Sequence, residues 1–231
     1  LSFIRFFDNH GLLTTAGPIQ WYTVQGGSKE YVSKVVDELK ASNITFKPAV
    51  TKVSRPTNVI PDTDLESNYT SKIVITDING DIQEYNKVIF TCHSDEVLNL
   101  LDESTADEKN LIGAIKYQSN SVILHTDESI MPKRKKAWSS WNYLSKDLDD
   151  NRQVVSLSYW MNNLQPLNTS TDYFVTVNPD TKPQSSKIIN EHDFSHPVFD
   201  KEAIQAQSQI EQIQGHNNTY FCGAYLRYGF H

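Results

Sequence analysis

The chain holds only two cysteines among its 231 residues, Cys92 and Cys222. Two thiols so far apart in sequence make no disulfide framework, and the expectation is a reduced, cytoplasmic protein. No run of about 18 apolar residues exists, which excludes a membrane-spanning helix. The opening LSFIRFFDNHGLL has one early Arg and neither an apolar stretch nor a cleavage site of the secretory kind. It also lacks an initiator Met, which points to a first residue that is not the natural start. Basic residues are the minority: 21 Lys and Arg stand against 28 Asp and Glu, a net charge of −7. That balance opposes general nucleic-acid binding, which needs a basic footprint. No G-x-G-x-x-G, no P-loop and no complete nucleophile–base–orienter set occurs.

What is present is an apolar fraction of 38%, with 11% aromatic residues. A chain of this size and content buries a substantial core as one large or two smaller domains. After Gly26-Gly27, Ser28 is a candidate N-cap. Tyr31, Val32, Val35, Val36 and Leu39 then form an apolar stripe at helical spacing. ITFKPAVTKVSR reads as an extended segment, and residues 56–71 as a polar loop or hairpin connection. In KIVITDINGDIQEYNKVIF, alternating residues flank Asn79-Gly80, which predicts a tight hairpin with positive φ angles. Val88, Ile89 and Phe90 form an apolar run suited to a strand buried on both faces. SDEVLNLL and STADEKNLIGAI read as short helices, the second opened by capping boxes from Ser104 to Asp107 and from Thr105 to Glu108.

From about residue 117 the chain turns β-rich. YQSNSVILHT, AWSSWNYL, RQVVSLSYW and DYFVTVN predict an antiparallel sheet of about four strands. A late helix follows, capped by Asp200 and stopped by Gly215, with Ile204, Gln207, Ile210 and Ile213 near one face. TYFCGAY closes as a strand. The fold class is therefore α+β.

Candidate chemistry is sparse. His192 and His196 lie four apart but lack the glutamate of a zinc-binding helix, and Pro197 breaks any helix there, so a strand-end loop is expected and no metal. Cys92 and His93 follow an apolar strand, where neighbours point to opposite faces. His125-Thr126-Asp127 reads as a turn at a strand end. The run Pro132-Lys133-Arg134-Lys135-Lys136 is the one basic cluster. It reads either as contact with phospholipid head groups or as a solvated loop tip, the usual fate of a like-charged run. Trp138, Trp141, Tyr143, Tyr159 and Trp160 either fill the space between the sheet and its cover or wall an apolar ligand pocket.

Longer motifs go further. NHGLL (Asn9 to Leu13), PIQWYTVQGGSKEYV (Pro18 to Val32), VIFTCHSDEVLNLL (Val88 to Leu101) and IGAIKYQSNSVILHTDESIMPKRKKAWSSWNY (Ile112 to Tyr143) stand out. So do LSYWMNNLQ, YFVTVNP, HPVFD and the closing YFCGAYLRYGFH. Together they resemble the flavoproteins of the NAD/FAD-binding, amine-oxidase-like family, whose members often lie beside, or are fused to, cyclopropane-fatty-acid synthases. The resemblance implies a flavin-dependent oxidoreductase in which hydride passes from a substrate C–H to FAD, with a small-molecule or lipid substrate. Full-length members begin with a βαβ unit carrying the pyrophosphate turn and continue past the terminal Gly-Phe-His. This chain then resembles an internal fragment that on its own is inactive and binds FAD weakly or not at all. The alternative is a ligand-binding or interaction module that keeps the fold without redox chemistry.

Under the resemblance, residues 1–104 form an accessory part of an FAD-binding domain, with the hairpin and the first helix in one layer. Residues 105–215 form a substrate domain, and 216–231 a return strand. Gly26 and Gly27 match a glycine pair near the flavin, and Val50 the position that meets the adenine. Thr91 and Cys92 end a strand near the cofactor, and Gly223 and Gly229 match the terminal flavin motif. Tyr117, Trp138 and Trp141 fall in the substrate half. Catalytic residues and oligomeric state stay unassigned. Peripheral membrane contact through Lys133 to Lys136 is compatible with a lipid substrate.

Overall fold

The structure is a computed structural model that describes residues 4, 7–8, 11, 13, 20, 22–55, 72–147 and 153–227. Most of the aromatic opening, the polar segment 56–71 and Gly229 lie outside the described residues. The chain divides into two compact units, one of residues 1–17, 45–118 and 197–231, the other of 18–44 and 119–196. The architecture is mixed α and β with antiparallel sheets, as the α+β reading expects.

In the first unit, β1 (Val50–Ser54), β2 (Ile73–Asp77) and β3 (Ile82–Tyr85) form an antiparallel three-stranded sheet. The β2–β3 turn corrects the expected tight hairpin. Gly80 has φ of +84°, while Asn79 is not among the residues with positive φ. Thr76 pairs with Ile82, so the loop is longer than two residues. The Asp77 carboxylate shapes it, accepting the N–H groups of Asn79 at 2.8 Å and Asp81 at 3.1 Å. An aspartate that bonds its own turn holds Asn79 in ordinary backbone space and leaves only glycine in the left-handed region.

β4 (Val88–Phe90) pairs in parallel with β10 (Thr219–Phe221), in register Phe90 to Phe221. Their rings stack at 5.9 Å between centroids. β4 is not buried on both faces as expected: Ile89 is 63% exposed. Alternation along the strand sends Phe90 into the core and Ile89 out, and the described residues put nothing over that outer face. α2 (Ser94–Leu100), α3 (Ala106–Ile112) and α5 (Lys201–Gln209) complete the unit.

Only the second expected capping box forms at α3. Thr105 Oγ1 accepts the Glu108 N–H while Glu108 accepts the Thr105 N–H. Asp200 caps α5 by accepting the Ala203 N–H at 2.8 Å. Its buried face is Ala203 and Ala206, continued by Ile210 and Ile213 in the 3₁₀ turn that follows, rather than Ile204 and Gln207. Val53, Ile73, Phe90, Val97, Ile112, Ile213 and Phe221 are buried in one apolar cluster.

The second unit is built on a five-stranded sheet in the order β6 (Trp141–Asp147), β7 (Gln153–Trp160), β8 (Phe174–Val177), β5 (Lys116–His125), β9 (Ile188–Val198), with the one-turn helix α4 (Met161–Leu164) after β7. The sequence reading gave four of these strands. It took the His192–His196 stretch for a loop, but those residues lie within β9, which is exposed along most of its length. An edge strand with no buried face has no apolar alternation to announce it.

α1 (Lys29–Ala41) forms where its stripe predicts but buries none of its residues, with Tyr31, Val32, Val35 and Leu39 all exposed. Ser28 does not cap it; its own φ and ψ are helical and its side chain makes no cap bond. The helix groups with the second unit and the β2–β3 hairpin with the first.

Candidate functional site

Two loci concentrate the chemistry, one in each unit. The first is the carboxyl end of the parallel β4–β10 pair. The register that stacks Phe90 on Phe221 delivers Thr91 and Cys92 from one strand and Cys222 and Gly223 from the other, and the Cys222 N–H donates to the Phe90 carbonyl at 2.8 Å. Crevices outside the carboxyl ends of parallel strands are where such sheets bind ligands. Tyr117 reaches this end as well. Its hydroxyl accepts the Ser94 N–H at 3.0 Å, and its ring stacks on His93 at 4.7 Å.

Tyr225 is buried beside Gly223, and a Cβ on that glycine would stand 2.6 Å from the tyrosine ring. The glycine is there for the close approach. The Tyr225 hydroxyl is the one buried side-chain polar atom among the described residues without a partner. Burial pushes its phenol up, with Tyr117 and then Cys92 adding to the effect. Burial also raises the Cys92 thiol, assisted by Glu96, so Cys92 is held as a thiol rather than a thiolate. Sequence reasoning named Thr91, Cys92, Gly223 and Tyr117 and missed Tyr225 and Ser94. Tyr225 sits inside the glycine-rich motif, but nothing in a sequence marks an unsatisfied hydroxyl.

The other predicted flavin-side positions stand elsewhere in the chain. Gly26 and Gly27 have φ of +86° and +88° and make the turn before α1. A Cβ on Gly26 would meet the Glu30 side chain at 2.8 Å. Val50 opens β1 opposite Asp77 and is partly exposed.

The second locus is the sheet of the second unit, whose buried face mixes polar and apolar side chains. Asn142, Ser156, Ser158, Thr176 and His125 lie there beside Ile123 and Phe174. The Asp127 N–H donates to His125 Nδ1 at 3.1 Å, so the ring proton is on Nε2, which donates to Thr176 Oγ1 at 2.8 Å. Thr176 in turn bonds Ser158 Oγ at 2.8 Å. Burial lowers the His125 pKa despite the nearby Asp127 carboxylate, which keeps the ring neutral. Burial alone would raise the Asp127 carboxyl. The N–H groups of Gln184 and Ser129, the Ser129 hydroxyl and the Lys187 ammonium hold it far below the ordinary range instead. The expected turn at residues 125–127 is therefore a saturated polar node, with no ring nitrogen left to act as a base.

Trp138 covers the buried face, packing edge-on against Trp160 and Phe174, each at 5.4 Å, and donating its indole N–H to the Pro132 carbonyl at 2.8 Å. Trp141 lies on the opposite face, 58% exposed, and its cross-strand partner is Tyr159. That face continues through Tyr143, Leu157, Val175 and Val177. It is apolar and only half covered. The aromatic group thus splits between the faces: Trp138 and Trp160 are internal, while Trp141, Tyr143 and Tyr159 look outward.

No protein-family model matches the chain, and no curated protein matches it. Solved structures do. The chain is similar to reduced UDP-galactopyranose mutase with a TM-score of 0.55 and 13% identity, covering 89% of this chain and 48% of that one. A CLA-producing fatty acid isomerase from P. acnes gives a TM-score of 0.47 and 17% identity, covering 79% of this chain and 43% of that one. The chain spans about half the length of the proteins it matches. At such identities the likeness to the mutase is one of fold.

Proposed function

We propose that the chain is part of an FAD-dependent flavoprotein, with a cofactor-side strand end in its first unit and, considered by itself, an apolar ligand face in its second. The observation that carries the first part is the parallel β4–β10 pair. It draws Thr91, Cys92 and Gly223 to one strand end from opposite ends of the sequence. These are positions that the motif resemblance assigns to the flavin side. The fold likeness to a mutase solved in its reduced state supports the same reading, since a protein with a reduced form carries an electron-accepting group. At this strand end the Tyr225 ring fills the space beside Gly223, and its buried hydroxyl keeps an unused hydrogen bond among the described residues. FAD, when bound, supplies the acceptor for electrons leaving a substrate C–H. Thr91 and Gly223 would line its edge, and Tyr225 would stiffen the glycine turn.

The second part rests on the half-covered face of Tyr159, Leu157, Val175 and Val177, which suits an apolar substrate. Trp138 would support that wall from behind. Hydride transfer as the reaction, and a lipid as the substrate, belong to the same proposal. The test is an absorbance spectrum of the natural polypeptide that contains this chain, purified without denaturant. Flavin bands near stoichiometry are expected, bleached by the true reductant. A colourless protein that takes up no added FAD would overturn the reading in favour of a non-redox binding module.

A further inference from the structure

We propose that the loop tip of Lys133, Arg134 and Lys136, with Trp141 and Tyr143 beside it, is a docking surface for an anionic lipid bilayer. A run of like charges usually ends as a mobile solvated loop. This one is fastened. Lys135 turns back to Asp172 at 2.6 Å and lies over the Trp138 ring at 4.8 Å. The other Asp172 oxygen accepts the Trp160 indole N–H at 2.8 Å. Trp138 closes the loop on the Pro132 carbonyl, and a 3₁₀ turn spans Lys135–Ala137.

One lysine is thereby spent on the mount. The other three cations are left exposed, with no acidic partner among the described residues. Asp172 is paired with Lys135, and Glu128 is the other carboxylate that acts on Lys135. Holding three positive charges together in advance lowers the ordering cost of meeting an anionic surface.

The aromatic half of the surface follows the tip closely in sequence, at the start of the edge strand. Loop residue Ser140 accepts the Trp160 N–H at 2.9 Å, and β6 begins at the next residue. Trp141 and Tyr143 share one face of that edge strand and are 58% and 66% exposed. Lys and Arg with Trp and Tyr at one end of a fold is the composition of a membrane interface, where amphipathic rings settle at head-group depth. Stable peripheral attachment needs two signals, a basic patch and an apolar insertion, and both are here. Net charge of −7 does not forbid this, because charges more than about 10 Å from the contact are largely screened at physiological salt.

The test is sedimentation of the chain with phosphatidylcholine vesicles and with vesicles containing 30 mol% phosphatidylglycerol. Binding is expected to the second alone and to be lost in 0.5 M NaCl. Each basic residue near such a surface contributes roughly fivefold in partition. The triple variant Lys133→Gln/Arg134→Gln/Lys136→Gln should therefore bind on the order of a hundredfold more weakly, with its melting temperature unchanged. Trp141→Ser/Tyr143→Ser should weaken binding while leaving its salt dependence. Equal binding to both vesicle types, undiminished binding of the triple variant, or tight binding of an oligonucleotide with none to vesicles would each overturn the proposal.

Discussion

Arg55 and Glu108 form a two-pronged ion pair in the interior of the first unit. Nη1 meets Oε1 at 2.5 Å and Nη2 meets Oε2 at 2.7 Å, with the side chains 4% and 1% exposed. The guanidinium also donates to the Glu103 carbonyl at 2.6 Å and to Thr219 Oγ1 at 3.3 Å. One cluster thus ties the end of β1 to the start of α3 and the first residue of β10. That last strand is the one that carries Gly223 to the candidate site. Breaking such a pair leaves a buried charge alone, so Arg55→Met should cost about 3–5 kcal/mol, read from urea denaturation. Glu108→Gln, which keeps the capping contact to Thr105, should cost less than Glu108→Ala.

The same pair sets an acid limit. Burial would raise the Glu108 carboxyl, but the Arg55 hydrogen bonds and the Thr105 N–H hold it below its ordinary value. Its folded pKa lies below the unfolded one, so the pair's contribution is full above the unfolded pKa, roughly 4.3. It is lost as pH falls through the folded pKa. Urea midpoints of the wild type should fall on acidification below about pH 4, and Glu108→Gln should fall less steeply over that window. A parallel pH dependence in both proteins would show that the pair does not carry the effect.

How much of this was legible beforehand divides along physical lines. The Thr105–Glu108 capping box and the Asp200 cap were read correctly because local spacing decides them. The strands β5 to β8 were read from their aromatic and β-branched content. Sheet faces were not legible. In Val155-Ser156-Leu157-Ser158-Tyr159 the alternation is plain, but the ordinary assumption puts leucine inside and serine outside. Here loops carrying Trp138 and Asp127 cover the serine face, and hydroxyl partners on neighbouring strands satisfy it. Tertiary pairing of that kind leaves no local trace, nor did the Arg55 partnership across distant segments.

His125 gives a second pH test, with its own window. Its pKa is lowered by burial, so below an unfolded value of roughly 6.5 the unfolded chain takes up a proton that the folded ring refuses. Stability from the neutral ring is complete above that pH and declines as pH falls toward the folded pKa. His125→Gln should flatten the change in urea midpoint between pH 7.5 and 5.5. Nitrogen-15 shifts should show Nε2 protonated and Nδ1 bare in the wild type. A protonated Nδ1 at pH 7.5 would refute the hydrogen-bond assignment to the Asp127 N–H.

Tyr225 should behave unlike most buried residues. Its hydroxyl has no partner among the described residues, so Tyr225→Phe removes an unsatisfied polar group and should leave the chain as stable or up to about 1 kcal/mol more so. Gly223→Ala should do the opposite. The new methyl would press on the tyrosine ring at 2.6 Å, and overpacking of this kind costs about 1–3 kcal/mol. Combining Gly223→Ala with a smaller residue at 225 should cost less than the sum of the two single losses, since the smaller side chain removes the clash with the new methyl. Destabilisation by Tyr225→Phe would mean that the hydroxyl already holds a bond, for instance to an ordered water.

The polar part of the buried sheet face in the second unit makes the sharpest contrast between two substitutions only a strand apart. Tyr143 is 66% exposed on the open face, and Tyr143→Ser should change stability by less than about 0.5 kcal/mol, as surface replacements usually do. Ser158 is fully buried between strands and shares its hydrogen bond with Thr176, which also serves His125. Removing the serine hydroxyl leaves Thr176 short of one partner in a site closed to water. Ser158→Ala should therefore cost about 1–2 kcal/mol, and Ser158→Val more, because it adds methyl groups at a fully buried position as well as removing the hydroxyl. A chain with the conventional arrangement would give the reverse order, with the tyrosine costly and the serine neutral. Chemical denaturation of the two single variants decides which face of this sheet is the inside.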